Sequence, residues 1–127
     1  MYWQISVVKA RYFRYMDLKQ WDDFRGLFTD DATFEHPVMG RFDSIDDAVT
    51  TLAARINSAL TIHHGHMPEI TILGPDVARG VWAMSAHRQA ADGRLMRSMG
   101  HYYDEFALVG DEWKISSMKL VSLYRES

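Results

Sequence analysis

Near the start of the chain, apolar residues recur every three to four positions. Ile5, Val8, Tyr12 and Tyr15 form a single stripe, the pattern of a helix that buries one face. After Asp17, the residues Trp21, Phe24, Leu27 and Phe28 predict a second, short amphipathic helix, which Thr29-Asp30-Asp31 ends. Ala32 to His36 alternates as a short strand before Pro37, and Met39-Gly40-Arg41-Phe42 reads as a turn with a scrap of strand. Ser44 followed by Asp47 matches a helix N-cap, with an oxygen and then a carboxylate at the positive end of the helix. Ile45, Val49, Leu52, Ile56 and Leu60 carry that third helix on strict periodicity as far as Leu60.

From His63 onward the period becomes two. Strands are predicted over Ile70–Leu73, Val77–Gln89, Met96–Leu108 and Trp113–Tyr124. Turns stand between them at Gly74-Pro75-Asp76, Ala91-Asp92-Gly93-Arg94 and Gly110-Asp111-Glu112. Helices first and a strand meander afterwards imply an α+β fold, three N-terminal helices packed on a strongly curved, mostly antiparallel sheet. Helices against a concave sheet leave a conical hollow, the default place for a small ligand.

Composition narrows the partners. The 127 residues are of a size for one domain over 1–127, with an ordinary 47% apolar and 24% charged residues. A net charge of −3 with scattered Lys and Arg argues against nucleic acid as a partner. No apolar run approaches a membrane span, and the N-terminus lacks the charged and apolar regions of a signal peptide. With zero cysteines, disulfides, thiolate catalysis and cysteine-ligated metals are excluded, and a cytoplasmic location is expected.

The candidate chemistry lies in Thr61-Ile62-His63-His64-Gly65-His66 set against Asp17. A carboxylate beside an imidazole holds one tautomer and frees the other ring nitrogen to accept a proton, as a general base requires. Strand alternation sends His63 to one face and His64 and His66 to the other, which splits the cluster as a metal site, so no metal is expected. His87 shares its strand phase with Val81, Ala83 and Ser85, a face that could be the cavity wall, and its position near the hairpin makes an exposed rim histidine an equal alternative. Asp104 shares its phase with Tyr102 and Phe106, and a carboxylate on such a face must pair with a donor or serve a function. Trp82, Met84, Trp113 and Met118 read as core or subunit-contact residues. Apolar residues on the outer face of the sheet would make the protein a homodimer.

The element order, together with Trp21-Asp22-Asp23-Phe24, Leu27-Phe28-Thr29-Asp30-Asp31-Ala32, Gly100-His101-Tyr102-Tyr103-Asp104 and Glu112-Trp113-Lys114-Ile115, resembles the SnoaL-like branch of the cone-shaped NTF2-like superfamily. In site residues the chain is nearest to scytalone dehydratase-like proteins. The resemblance implies Asp17 as the aspartate that supports a pocket histidine, His63 as that histidine and His87 as a second. Tyr12 matches a tyrosine of a related bile-acid dehydratase. The chain departs from scytalone dehydratase where that enzyme's two water-holding tyrosines correspond to Met16 and His36, and where a serine and an asparagine correspond to Asp104 and Phe106. The base is thus retained without the carbonyl-polarising part.

Two functions follow as expectations. The first is a lyase or isomerase that acts without a cofactor on a small, mostly apolar, cyclic compound. In it Asp17, His63 and His87 are catalytic, and Tyr12, His36, Tyr102 and Asp104 bind substrate. The alternative is a binding domain with the same cavity and no catalysis.

Overall fold

In the computed structural model, which describes residues 1–126, the first apolar stripe becomes helix α1 (Tyr2–Asp17). It buries Ile5, Val8, Lys9, Tyr12, Phe13 and Met16, whereas Tyr15 is only partly covered. Helix α2 (Trp21–Arg25) is one short segment anchored by Phe24. It stops earlier than the apolar spacing implied. Leu27 lies in the turn beyond it, and Phe28 opens strand β1 (Phe28–His36), which runs straight through Thr29-Asp30-Asp31. The acidic run is tolerated because it falls at a break in the β1 register, between Phe28 and Thr33, where the side chains of Asp30 and Asp31 meet solvent.

Strand β2 (Gly40–Phe42) hairpins onto β1. Helix α3 (Ile45–Ile56) begins at Ser44, whose Oγ accepts a hydrogen bond from the Asp47 amide at 3.2 Å. It ends four residues short of the expected Leu60, which instead starts strand β3 (Leu60–Gly65) at the sheet edge with its side chain exposed. The apolar period there was shared by two elements. Strands β4 (Glu69–Ile72), β5 (Val77–Gln89), β6 (Leu95–Val109) and β7 (Glu112–Arg125) complete the sheet.

The strand order is β2-β1-β7-β6-β5-β3, with β4 also on β5. Only β1 and β7 run parallel; the other pairs are antiparallel. This is the α+β architecture expected, with helices on one face of a curved, unclosed sheet. Register breaks on β6 at Met99/Gly100 and Glu105/Phe106 bend the sheet. At the first of these, any Cβ on Gly100 would collide with the backbone carbonyl of Val121, so the bend depends on glycine.

The helices cover the concave face, where Phe24, Phe28, Phe34, Phe106, Ile115 and Met118 are all essentially inaccessible. Each such side chain contributes roughly 1.5–3 kcal/mol by leaving water. No helix among the described residues is long and apolar enough to cross a membrane.

Candidate active site

The end of α1 sets the site. Backbone amides of Leu18, Lys19 and Gln20 fold back onto the carbonyls of Arg14, Met16 and Tyr15. Lys19 takes up a left-handed conformation at φ 60°, rare for a residue with a side chain. The tight reversal carries Asp17 against β3, where Thr61 and His63 stand two residues apart and so share a face.

Both residues grip the same carboxylate. Thr61 Oγ donates to Asp17 Oδ1 at 3.0 Å, and the His63 backbone amide donates to Asp17 Oδ2 at 2.8 Å. His63 Nδ1 lies 2.7 Å from Asp17 Oδ1. An ionised carboxylate only accepts, so this contact puts the proton on Nδ1 and leaves Nε2 with a free lone pair. Lys19 Nζ donates to Thr61 Oγ at 2.7 Å, which orients the hydroxyl proton toward Asp17. The strained turn therefore also supplies a cation that steadies the clasp.

His63 and Thr61 line a cavity of about 100 Å³, room for roughly one ring. It is bounded by the end of α3, the inward faces of β3 and β5, the start of β6 and the last residues of β7. His36, at the end of β1, lines it from the opposite side. Its Nδ1 accepts hydrogen bonds from the backbone amides of Val38 and Met39 at 3.1 and 3.2 Å. Burial, with the charges of Arg55, Arg125 and His63 adding to it, lowers its pKa to about 4. His36 is thus neutral with its proton on Nε2: a donor, where His63 is an acceptor.

Of the other expected site residues, His87 reaches the cavity and three do not. On β5 the inward phase is Ala78, Trp82, Met84, Ala86 and Arg88, so His87 projects from the opposite face and meets the cavity only at its rim. His87 is thus an exposed rim histidine, one of the two placements that its position near the hairpin allows. Tyr12, Tyr102 and Asp104 do not line the cavity; they are buried together around Lys9.

Lys9 Nζ lies 2.7 Å from Asp104 Oδ2, and 3.9 and 3.6 Å from the ring centres of Tyr12 and Tyr102. Burial pushes the Lys9 pKa down and the Asp104 pKa up, and the contact between them opposes both shifts. Burial likewise raises both tyrosines well above their ordinary range. This is an internal ion pair capped by aromatic faces, which sets a cation beside Asp104 Oδ2 while Asp104 Oδ1 is buried without a partner.

Several residues of the site were missed in the sequence. Lys9 sits one turn beyond Ile5 and one before Tyr12 and Phe13, and a lone charge on an apolar stripe was its signal. Arg88 follows Trp82, Met84 and Ala86 in phase, and Arg55 precedes Ile56 at the end of α3. Neither pattern marks an arginine as cavity-lining without the knowledge of which face is concave.

Comparison with known proteins agrees with this fold. The family model for the SnoaL-like domain matches residues 1–119. A cyclase-like protein of Gibberella zeae is 28% identical over 130 aligned positions, covering 91% of this chain and 87% of its own. A scytalone dehydratase-like protein from Novosphingobium aromaticivorans superposes with a TM-score of 0.90 at 18% identity, over 97% of this chain and 84% of its own. A hexachlorocyclohexane dehydrochlorinase from Novosphingobium barchaimii superposes with a TM-score of 0.86 at 15% identity, over 97% and 86%. At those identities the two structures speak to the fold alone.

Proposed function

The chain belongs to the SnoaL-like domain family, and from that premise we propose that it is a small-molecule lyase or isomerase of the dehydratase-like kind, working by proton abstraction without a cofactor. The observation that carries this is the Asp17–His63 clasp, with its 2.7 Å contact, facing a cavity that holds a neutral imidazole donor opposite. Relatives named for cyclisation and for loss of water or hydrogen chloride support a reaction of this type.

His63 Nε2 takes a proton from a carbon next to a carbonyl or leaving group. Asp17 holds the ring and stabilises the imidazolium that results, part of the roughly 10²–10⁴-fold available to acid–base catalysis. His36 Nε2–H donates to the oxygen that gains charge, in place of the two tyrosines absent from the site. Apolar neighbours, among them Leu52, Met84 and Leu120, suit a compact cyclic substrate.

The test is turnover on a panel of cyclic β-hydroxy and β-halo carbonyl compounds. Asp17→Asn and His63→Ala should keep the circular dichroism of the parent and lose at least about 10²-fold in kcat/KM. Unchanged turnover in both removes the mechanism.

The protein also acts as a homodimer on this reading. Ile62, Tyr103 and Val121 are exposed on the outer sheet face, a surface fit to be covered by a second copy. Sedimentation of the parent as a dimer and of Tyr103→Glu as a monomer is the expected outcome.

A further inference from the structure

Four arginines line the cavity, and Arg97 is held by Glu126; the other three come from three different elements, Arg55 from the last turn of α3, Arg88 from β5 and Arg125 from the end of β7. None of them forms a salt bridge among the described residues, although Arg25, Arg41 and Arg97 each do. Arg88 Nε is shut off from solvent with no acceptor, and its Nη2 reaches only the Arg55 backbone carbonyl at 3.4 Å. The one acidic residue on the lining, Glu126, is already engaged by Arg97 at 2.8 Å and by the Tyr124 hydroxyl at 2.9 Å.

Partial burial and the charges of Arg88 and Arg125 together lower the Arg55 pKa. Like charges gathered in a partly dry hollow repel one another and lose hydration, and an anion relieves both costs at once. Guanidinium is the group whose planar donor fork matches a carboxylate bidentately.

We propose that the substrate carries a carboxylate, and that Arg55, Arg88 and Arg125 form the subsite that holds it while its ring lies against His63 and His36. This rests on the reading of the cavity as a substrate site, and it narrows that reading to anionic substrates. Fixing one end of a small ring on guanidinium donors also orients its acidic C–H toward His63, which apolar contacts in so small a cavity do by shape alone.

The probes are cyclohexanecarboxylate and the uncharged cyclohexanecarboxamide, titrated against the full-length protein by calorimetry and by NMR shifts of the cavity methionines. The carboxylate should bind at least about tenfold more tightly, which is 1.4 kcal/mol. Arg125→Gln, at an exposed strand end where folding is not at risk, should erase most of that preference, and Arg88→Gln should do the same. His63→Ala and Asp17→Asn should retain it, so a failed catalytic mechanism leaves this result standing. Equal affinity for the two probes, or a preference that survives both arginine substitutions, overturns the proposal. So does inorganic phosphate that binds as tightly as the carboxylate and competes with it, since that marks a site for free anions.

Discussion

Replacing Asp17 by asparagine preserves shape and removes charge, so its effect can be worked out bond by bond. The carboxylate accepts from three donors: the Thr61 hydroxyl, the His63 backbone amide and His63 Nδ1–H. An amide offers one accepting oxygen and one NH₂ that only donates. With its oxygen toward the His63 backbone, the NH₂ faces Nδ1, which can accept only if the ring proton moves to Nε2. That movement turns the base into a donor. With the oxygen toward Thr61 and Nδ1, the tautomer survives, but NH₂ opposes the backbone amide and leaves a hydrogen bond unmade. Either arrangement loses at least one charge-assisted bond, so the variant should be less stable by about 1.5–3 kcal/mol. Urea denaturation reads the stability, and long-range ¹H–¹⁵N correlation of the imidazoles reads the tautomer. We expect reduced stability in every case, with His63 shifted to Nε2–H in the first arrangement. Parental stability together with the parental tautomer would refute the claim that Asp17 holds the ring.

Two further predictions concern the other ionisable groups. His36 has a folded pKa of about 4 against 6.5 unfolded, so as the pH falls through that window the unfolded chain takes the proton first and stability drops. The drop is at most roughly 3 kcal/mol. It should be visibly smaller in His36→Gln when urea midpoints are compared between pH 7 and 4, and an identical drop in both proteins would contradict a neutral buried imidazole. Lys9→Met should cost roughly 3–5 kcal/mol by stranding Asp104, whereas Lys9→Met with Asp104→Leu should recover most of it. A double variant as unstable as the single one would mean that the aromatic contacts to Lys9, and not the ion pair, are what matters.

Local pattern was enough for much of this protein. Period-of-four spacing defined α1 and the start of α3, the Ser44 cap was visible as a residue pair, and the long strands followed from alternation between Gly-containing turns. These are short-range effects, decided by neighbours within one turn or one hairpin. The motifs that resemble the SnoaL-like family were legible for the same reason, and the family model now covers residues 1–119. His63 was marked by its place in Thr61-Ile62-His63-His64-Gly65-His66 and separated from His64 and His66 by strand alternation.

Which face of each element looks inward was beyond the sequence, because it depends on sheet curvature, and curvature arises from long-range register breaks such as that at Gly100. That single unknown left His87 open between cavity wall and exposed rim, and left Arg88 unnoticed beside it. The same holds for the boundary at Leu60, where an apolar residue served a helical period equally well until pairing with β5 claimed it. Periodicity also left Asp17 at the margin of the α1 stripe. Only the left-handed turn at Lys19 and the packing of α1 on β3 brought its carboxylate to 2.7 Å from the His63 ring. Residue types and local periods are written along the chain, but a carboxylate–imidazole pair 46 positions apart exists only where tertiary packing closes the distance.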